Sequence, residues 1–286
     1  MSWVRTLRDY FELTKPAVVA VMLVTAAVGM LLATVELPPI DQVVLGLTGI
    51  ALCAGSAAAI NHLLDTDIDR QMQRTLDRPL VQQRVTPRGV AAFAALMGAG
   101  GFVLLYVWVN PLTAWLTAAS LIGYAFVYTL WLKHATAQNI VIGGLAGAMP
   151  PLLGWAAITG ELGHQPWLLV LIVFVWTPPH FWALALHRRE EYQQASIPVL
   201  PVVYSNHLTQ LHILLYTVLL LISSVLPWLV GMFGWIYLGS ALALGVIFLH
   251  CALRLYRDES HALATFNYSI VYILLLFAAM LADHWL

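Results

Sequence analysis

The sequence predicts an all-α integral membrane protein of nine spanning helices, folded as one domain over residues 1–286. Three observations predict it. The first is composition: 61% of the 286 residues are hydrophobic and 9% are charged, with a mean hydropathy of +0.82, whereas a soluble domain carries about 25% charged residues. The second is nine apolar runs near the ~20 residues that a spanning helix needs: 17–35, 43–64, 89–109, 112–132, 138–158, 166–187, 208–229, 233–253 and 265–284. The third is the partition of basic residues. With nine spans, all 13 Lys and Arg fall on one side; seven or eight spans break that partition. Basic connections stay on the cytoplasmic side, so the N-terminus is expected there.

The chain opens on a polar stretch with Arg5, Arg8 and Lys15, followed by an apolar run too long for a signal-peptide core. Lys15-Pro16 starts the first span, where the lysine reaches either a phosphate or the interface by snorkelling. The first, third and fifth of the opposite-side segments carry Glu36 and Asp41, Glu161, and Asp283, without basic residues. Chemistry is therefore expected on the basic side, in the two longest connections, 65–88 and 188–207.

The first of these holds the densest polar stretch, from Asn61 to Leu80. Asn61, Asp65 and Asp69 stand at i, i+4 and i+8, one stripe of oxygen ligands on a helix. Stacked carboxylates at a membrane boundary repel one another and are costly unless paired. A hard divalent cation offsets that repulsion, and Mg²⁺ takes one or two carboxylates plus substrate phosphates. Asp67 stands beside the stripe, and Arg70, Arg74 and Arg78 supply what a diphosphate needs on its other side. The plainer reading is a solvated helix end, with Asp67–Arg70 and Arg74–Asp77 as i, i+3 pairs.

The second connection follows the sixth span, Thr177-Pro-Pro-His-Phe-Trp182 to Tyr192. Pro178 and Pro179 remove two helical N–H donors and are expected to kink the span. Beyond them His180, His187 and Glu191 fall at i, i+7 and i+11, on one helical face, with Arg188 and Glu190 flanking it. Phe181 and Trp182 read as packing or lipid-facing residues. Elsewhere, Asn139 reads as a helix cap. Gly143, Gly144 and Gly147 read as a close-packing face. Cys53 and Cys251 lie in apolar runs with no metal-ligand spacing. A net charge of −1 and the lack of a basic tail give no reason to expect nucleic acid.

Leu13-Thr-Lys-Pro16, the Asn61–Pro79 stretch, Pro178-Pro-His-Phe-Trp-Ala-Leu-Ala185, Glu191-Tyr192 and Ile197-Pro-x-Leu-Pro201 together resemble the UbiA-type intramembrane prenyltransferase superfamily. The longer signatures are closest to its haem-farnesylating branch. Ala17 follows Lys-Pro where Arg is common in that branch, and Ser196 and Val199 replace the usual Gly and Met. Relatives that use aromatic acids often carry a second Asp-x-x-x-Asp on span 6, absent here, which favours haem over a benzoate.

The resemblance implies a ring of nine helices around a central cavity in a bacterial inner membrane, with the active site on the cytoplasmic side. It implies farnesyl diphosphate and haem b as substrates and Mg²⁺ as cofactor. Asn61, Asp65, Asp67, Asp69 and Glu191 would hold metal, and Lys15, Arg70, Arg74, Arg78 and Arg188 the diphosphate. His180 and His187 would meet haem, with Glu191 and Tyr192 assisting catalysis. Haem A synthase or a terminal oxidase in assembly would be partners. The competing readings are a prenyltransferase with a quinone-precursor acceptor and a haem or lipid transporter.

Overall fold

The computed structural model describes residues 3–286. An amphipathic helix α1 (Trp3–Leu13) leads into the first span, α2 (Pro16–Leu32), through a bend of 55° at Thr14-Lys15. The remaining spans are α3 (Ile40–Leu64), α4 (Pro87–Trp108), α5 (Pro111–Leu132), α6 (Asn139–Thr159), α7 (Gln165–His187), α8 (Asn206–Leu229), α9 (Trp235–Arg257) and α10 (Ala262–Trp285). Among the described residues, eight of these are long and apolar enough to cross a membrane on their own, and the ninth, α2, reaches that length only together with α1, across the bend. All nine expected runs therefore correspond to helices. The helix α1 was not foreseen, because its stretch is polar overall and only its periodicity marks it.

Local signals set the ends. Pro87 and Pro111 occupy first-turn positions where the missing N–H costs nothing, behind Thr86 and Asn110, whose side chains accept from Gly89 N and Thr113 N. Ser205 caps α8 in the same way, accepting from Leu208 N. Gly160, at φ +68°, closes α6 in the left-handed conformation that glycine adopts freely.

Each span packs on its chain neighbour, and α10 packs back on α2, which closes the ring. On the side without basic residues the interior is filled. The second half of α6 runs inside, with every residue from Pro150 to Ala157 buried, against Leu169, Ile172, Tyr237 and Tyr272 of the main core. A side chain on Gly29 would strike the Pro151 carbonyl, and one on Gly154 the Ala26 carbonyl. This pair of glycines lets α2 and α6 touch backbone to backbone. Asp283 accepts from Gly234 N and Tyr237 N, and His284 Nε2 bonds Thr34 O at 2.8 Å, tying the last span to the start of α9 and the end of α2. Toward the opposite end a cavity remains, under the 65–86 and 188–205 connections.

Candidate active site

The cavity there has a volume of about 220 Å³ and is walled by α2, α3, α5, α6, α7 and both connections. Its polar lining is Lys15, Asn61, Asp65, Asp69, Arg74, Arg78, Lys133 and Asn139; its apolar lining includes Ile68, Met72, Tyr124, Tyr128, Phe181 and Tyr192. The four cations outnumber the two carboxylates by two charges.

Although α3 ends at Leu64, the backbone keeps helical spacing through the break: Asp65 N bonds Asn61 O, and Asp69 N bonds Asp65 O. The expected stripe survives, and all three residues are buried. Asn61 organises it. Its Oδ1 accepts from Lys15 Nζ, and its Nδ2 donates to Asp65 Oδ2 at 2.8 Å and to Thr129 Oγ1 at 3.1 Å. Asp65 Oδ2 also meets Lys133 Nζ at 2.7 Å, and Asp69 Oδ2 meets Arg78 Nη1 at 2.5 Å. Thr75 fixes the turn by donating to Asp69 O and Met72 O. Burial pushes the Asp69 carboxyl up against the pull of Arg78. Burial and the Arg78 charge push the Lys15 ammonium down to about 8, while Asp65 and Asp69 pull it back.

Among the described residues no three His, Cys, Asp or Glu come together as a metal cage. The donor set still fits a cation that arrives with a diphosphate. One oxygen of Asp65 and one of Asp69 are left without a protein partner among the described residues, which is the carboxylate contribution that Mg²⁺ takes beside phosphates.

Several expected residues stand elsewhere. Asp67 and Arg70 pair with each other at 3.1 Å, with side chains 91% and 51% exposed. Asp67 lies two residues from Asp65, about 200° around a helix, and so faces away from the stripe. Glu191 and Arg188 are off the cavity lining, although both, with Arg74, act on Tyr192 through their charge. Burial raises the Tyr192 phenol above its usual range. His187 is exposed at the end of α7, where Arg188 leaves helical geometry, so the His180–His187–Glu191 face does not form. The expected kink is absent as a break: α7 is continuous through Pro178 and Pro179, and Thr177 Oγ1 donates to Val173 O.

His180 turns toward α10. Its ring lies between Trp176 and Phe266, with centroids at 4.2 and 4.7 Å, and its Nδ1 is 2.7 Å from Ser269 Oγ. The single Ser269 proton is already donated to Phe266 O. With the hydroxyl so assigned, Nδ1 donates to Ser269 Oγ and Nε2 keeps its lone pair.

Unforeseen members of the cavity are Lys133, Tyr124 and Tyr128, and Phe181 in place of its expected packing role. Residues Gly123–Leu132 form a π-helix, a local rewinding with i→i+5 bonds that often marks functional sites. It stacks Tyr124 on Tyr128, 5.6 Å apart, and brings Thr129 Oγ1 to Tyr124 O. Gly143 makes room for the Tyr128 ring, and Gly144 faces Thr177, whereas Gly147 faces open space. Asn139 caps nothing; it donates to Lys133 O and Pro198 O. Among the described non-glycine residues, the left-handed ones are Lys15, Gln83 and Ser196, all on this side of the molecule.

Comparison with known proteins agrees with this geometry. Residues 22–282 match the UbiA prenyltransferase family. The chain is 56% identical to a protoheme IX farnesyltransferase of Saccharophagus degradans, over 98% of this chain and 93% of that one. It is 59% identical to protoheme IX farnesyltransferase 1 of Pseudomonas fluorescens, over 98% and 94%. The fold is shared with a solved structure of digeranylgeranylglyceryl phosphate synthase, at a TM-score of 0.83 and 18% identity over 98% and 99% of the two chains. It is also shared with a UbiA homologue from Archaeoglobus fulgidus bound to GPP and Mg²⁺, at 0.73 and 18% over 95% and 99%. The chain belongs to the UbiA prenyltransferase family, on the branch of the protoheme IX farnesyltransferases, and is an integral membrane prenyltransferase.

Proposed function

We propose that the chain transfers farnesyl from farnesyl diphosphate to a vinyl group of haem b, giving hydroxyethylfarnesyl haem (haem O) and diphosphate. The observation that carries this reading is the cavity itself: four cations and two half-free carboxylates beside an aromatic lining. An anionic head and a carbocation-forming tail need those two surroundings side by side. Bound Mg²⁺ would be held by Asp65 and Asp69 and would supply Lewis-acid neutralisation of the diphosphate.

The residues of the chain do the rest. Lys15, Arg74, Arg78 and Lys133 stabilise the charge that builds on the leaving oxygen as the C–O bond of the allylic carbon breaks. Tyr124, Tyr128 and Phe181 present ring faces to the allylic cation and keep water from it. The vinyl carbon then attacks, water adds to the resulting haem-side cation, and one proton is lost. His180 offers its Nε2 lone pair to the haem iron, and Glu191, beside Tyr192, takes the proton of the quenching water. At about 220 Å³ the cavity suits the head group, below the ~300–1,000 Å³ of sites that enclose larger ligands, so the haem reaches it from the hydrocarbon side. The site faces the cytoplasm of a bacterial inner membrane, and the product serves haem A synthesis or oxidase assembly.

The test is release of inorganic diphosphate by the purified protein. It should require both haem b and Mg²⁺; release that is indifferent to haem, or none with both present, overturns the acceptor or the reaction.

A further inference from the structure

The helix α1 has two contrasting faces, one exposed and apolar and one bound to the protein. At about 100° per residue, Val4, Leu7 and Phe11 fall within about 60° of one another and opposite Asp9. These three apolar side chains are 75%, 68% and 62% exposed, whereas Asp9 and Leu13 are buried. The buried face is bound tightly. Asp9 Oδ1 and Glu12 Oε2 meet the Arg84 guanidinium at 2.9 and 3.5 Å, and Leu13 packs on Leu80, Val85 and Val90. Tyr10 lies on Phe93. Arg5 and Arg8 are exposed.

The occupant of the apolar face follows from continuity. Two residues separate α1 from the membrane span α2, and the 55° bend between them turns α1 toward the membrane plane. An exposed apolar stripe beside two arginines, at that height, matches a lipid leaflet with anionic headgroups. The same helix touches the substrate cap. Arg84, held by Asp9 and Glu12, donates from Nη2 to Asp77 O at 2.9 Å, and the next residue, Arg78, pairs with Asp69 in the cavity.

We propose that α1 is a shelf seated in the anionic leaflet on the basic side of the membrane, and that through Arg84 it positions Arg78 for the diphosphate. Arg84 is thus a positioning residue. The second half rests on the diphosphate reading of the cavity; the first does not.

The test uses the full chain in lipid nanodiscs, with Cys53→Ala and Cys251→Ala, and a polarity-sensitive label at Leu7→Cys or Arg5→Cys. Nitroxide lipids should quench the Leu7 label, and aqueous iodide the Arg5 label. Equal iodide quenching at both positions overturns the seat, whatever the protein catalyses. Arg84→Gln should raise the KM for farnesyl diphosphate about two- to thirty-fold with kcat little changed. Zwitterionic nanodiscs should raise it in the same sense for the unmodified chain. An unchanged KM in either case overturns the coupling. Absence of any prenyl transfer by the unmodified chain counts against the proposed function, while the quenching still decides the seat.

Discussion

Lys133 Nζ lies 2.7 Å from Asp65 Oδ2, in the same cavity as the Arg78–Asp69 pair, with the two side chains 12% and 7% exposed. Removing one partner of a buried pair costs about 3–5 kcal/mol, because the other charge is stranded. Lys133→Met should therefore lower the melting temperature and raise the KM for farnesyl diphosphate. Mg²⁺ with the diphosphate should restore much of the lost melting temperature, since ligands that bind the folded state stabilise it. A variant that melts and turns over normally removes Lys133 from the site.

That pair also marks where sequence reading stopped. The nine spans were legible because hydropathy and the sidedness of 13 basic residues agree. The Asn61–Asp65–Asp69 stripe was legible because helical spacing persists past the end of α3. Lys133 was not. It stands nine residues after Tyr124, which an α-helical step of about 100° puts on the opposite face. The π-helix over Gly123–Leu132 resets that register, and no residue type announces it. Asp67 and Arg70 lie in the same charge-dense stretch but stay off the cavity, since density of charge along a chain does not make side chains converge. The His180–His187–Glu191 face failed because the helix stops at His187.

The bond from His180 to Ser269 separates a haem-binding role from a packing one. His180→Ala should shift the Soret band of the haem-loaded protein and weaken haem binding, with farnesyl diphosphate binding retained. Ser269→Ala should broaden the same band, because the imidazole loses the acceptor that holds its proton on Nδ1. An unaltered spectrum and affinity in both variants, alongside a lowered melting temperature, would assign the trio to packing alone.

Ser196 adopts φ +52°, a conformation that costs a residue with a Cβ roughly 1–2 kcal/mol. Glycine escapes that cost. Ser196→Gly should raise the melting temperature by a few degrees without reducing turnover. A fall in stability would show that the Ser196 side chain makes up for its backbone.

Orientation is open to cysteine labelling from outside the cell. An impermeant reagent should reach cysteines placed at Glu36 and Glu161 and miss those at Gln82 and Gln194. Labelling at Gln82 would invert the topology and put the cavity on the outer face.

The most direct measurement is the mass of haem extracted after incubating the purified protein with haem b, farnesyl diphosphate and Mg²⁺. The expected product carries one farnesyl group and one added water, and it disappears in Asp65→Asn and Asp69→Asn, which remain inserted and still retain haem. Haem b recovered unchanged, or a full yield of product from either variant, would contradict prenyl transfer at this cavity.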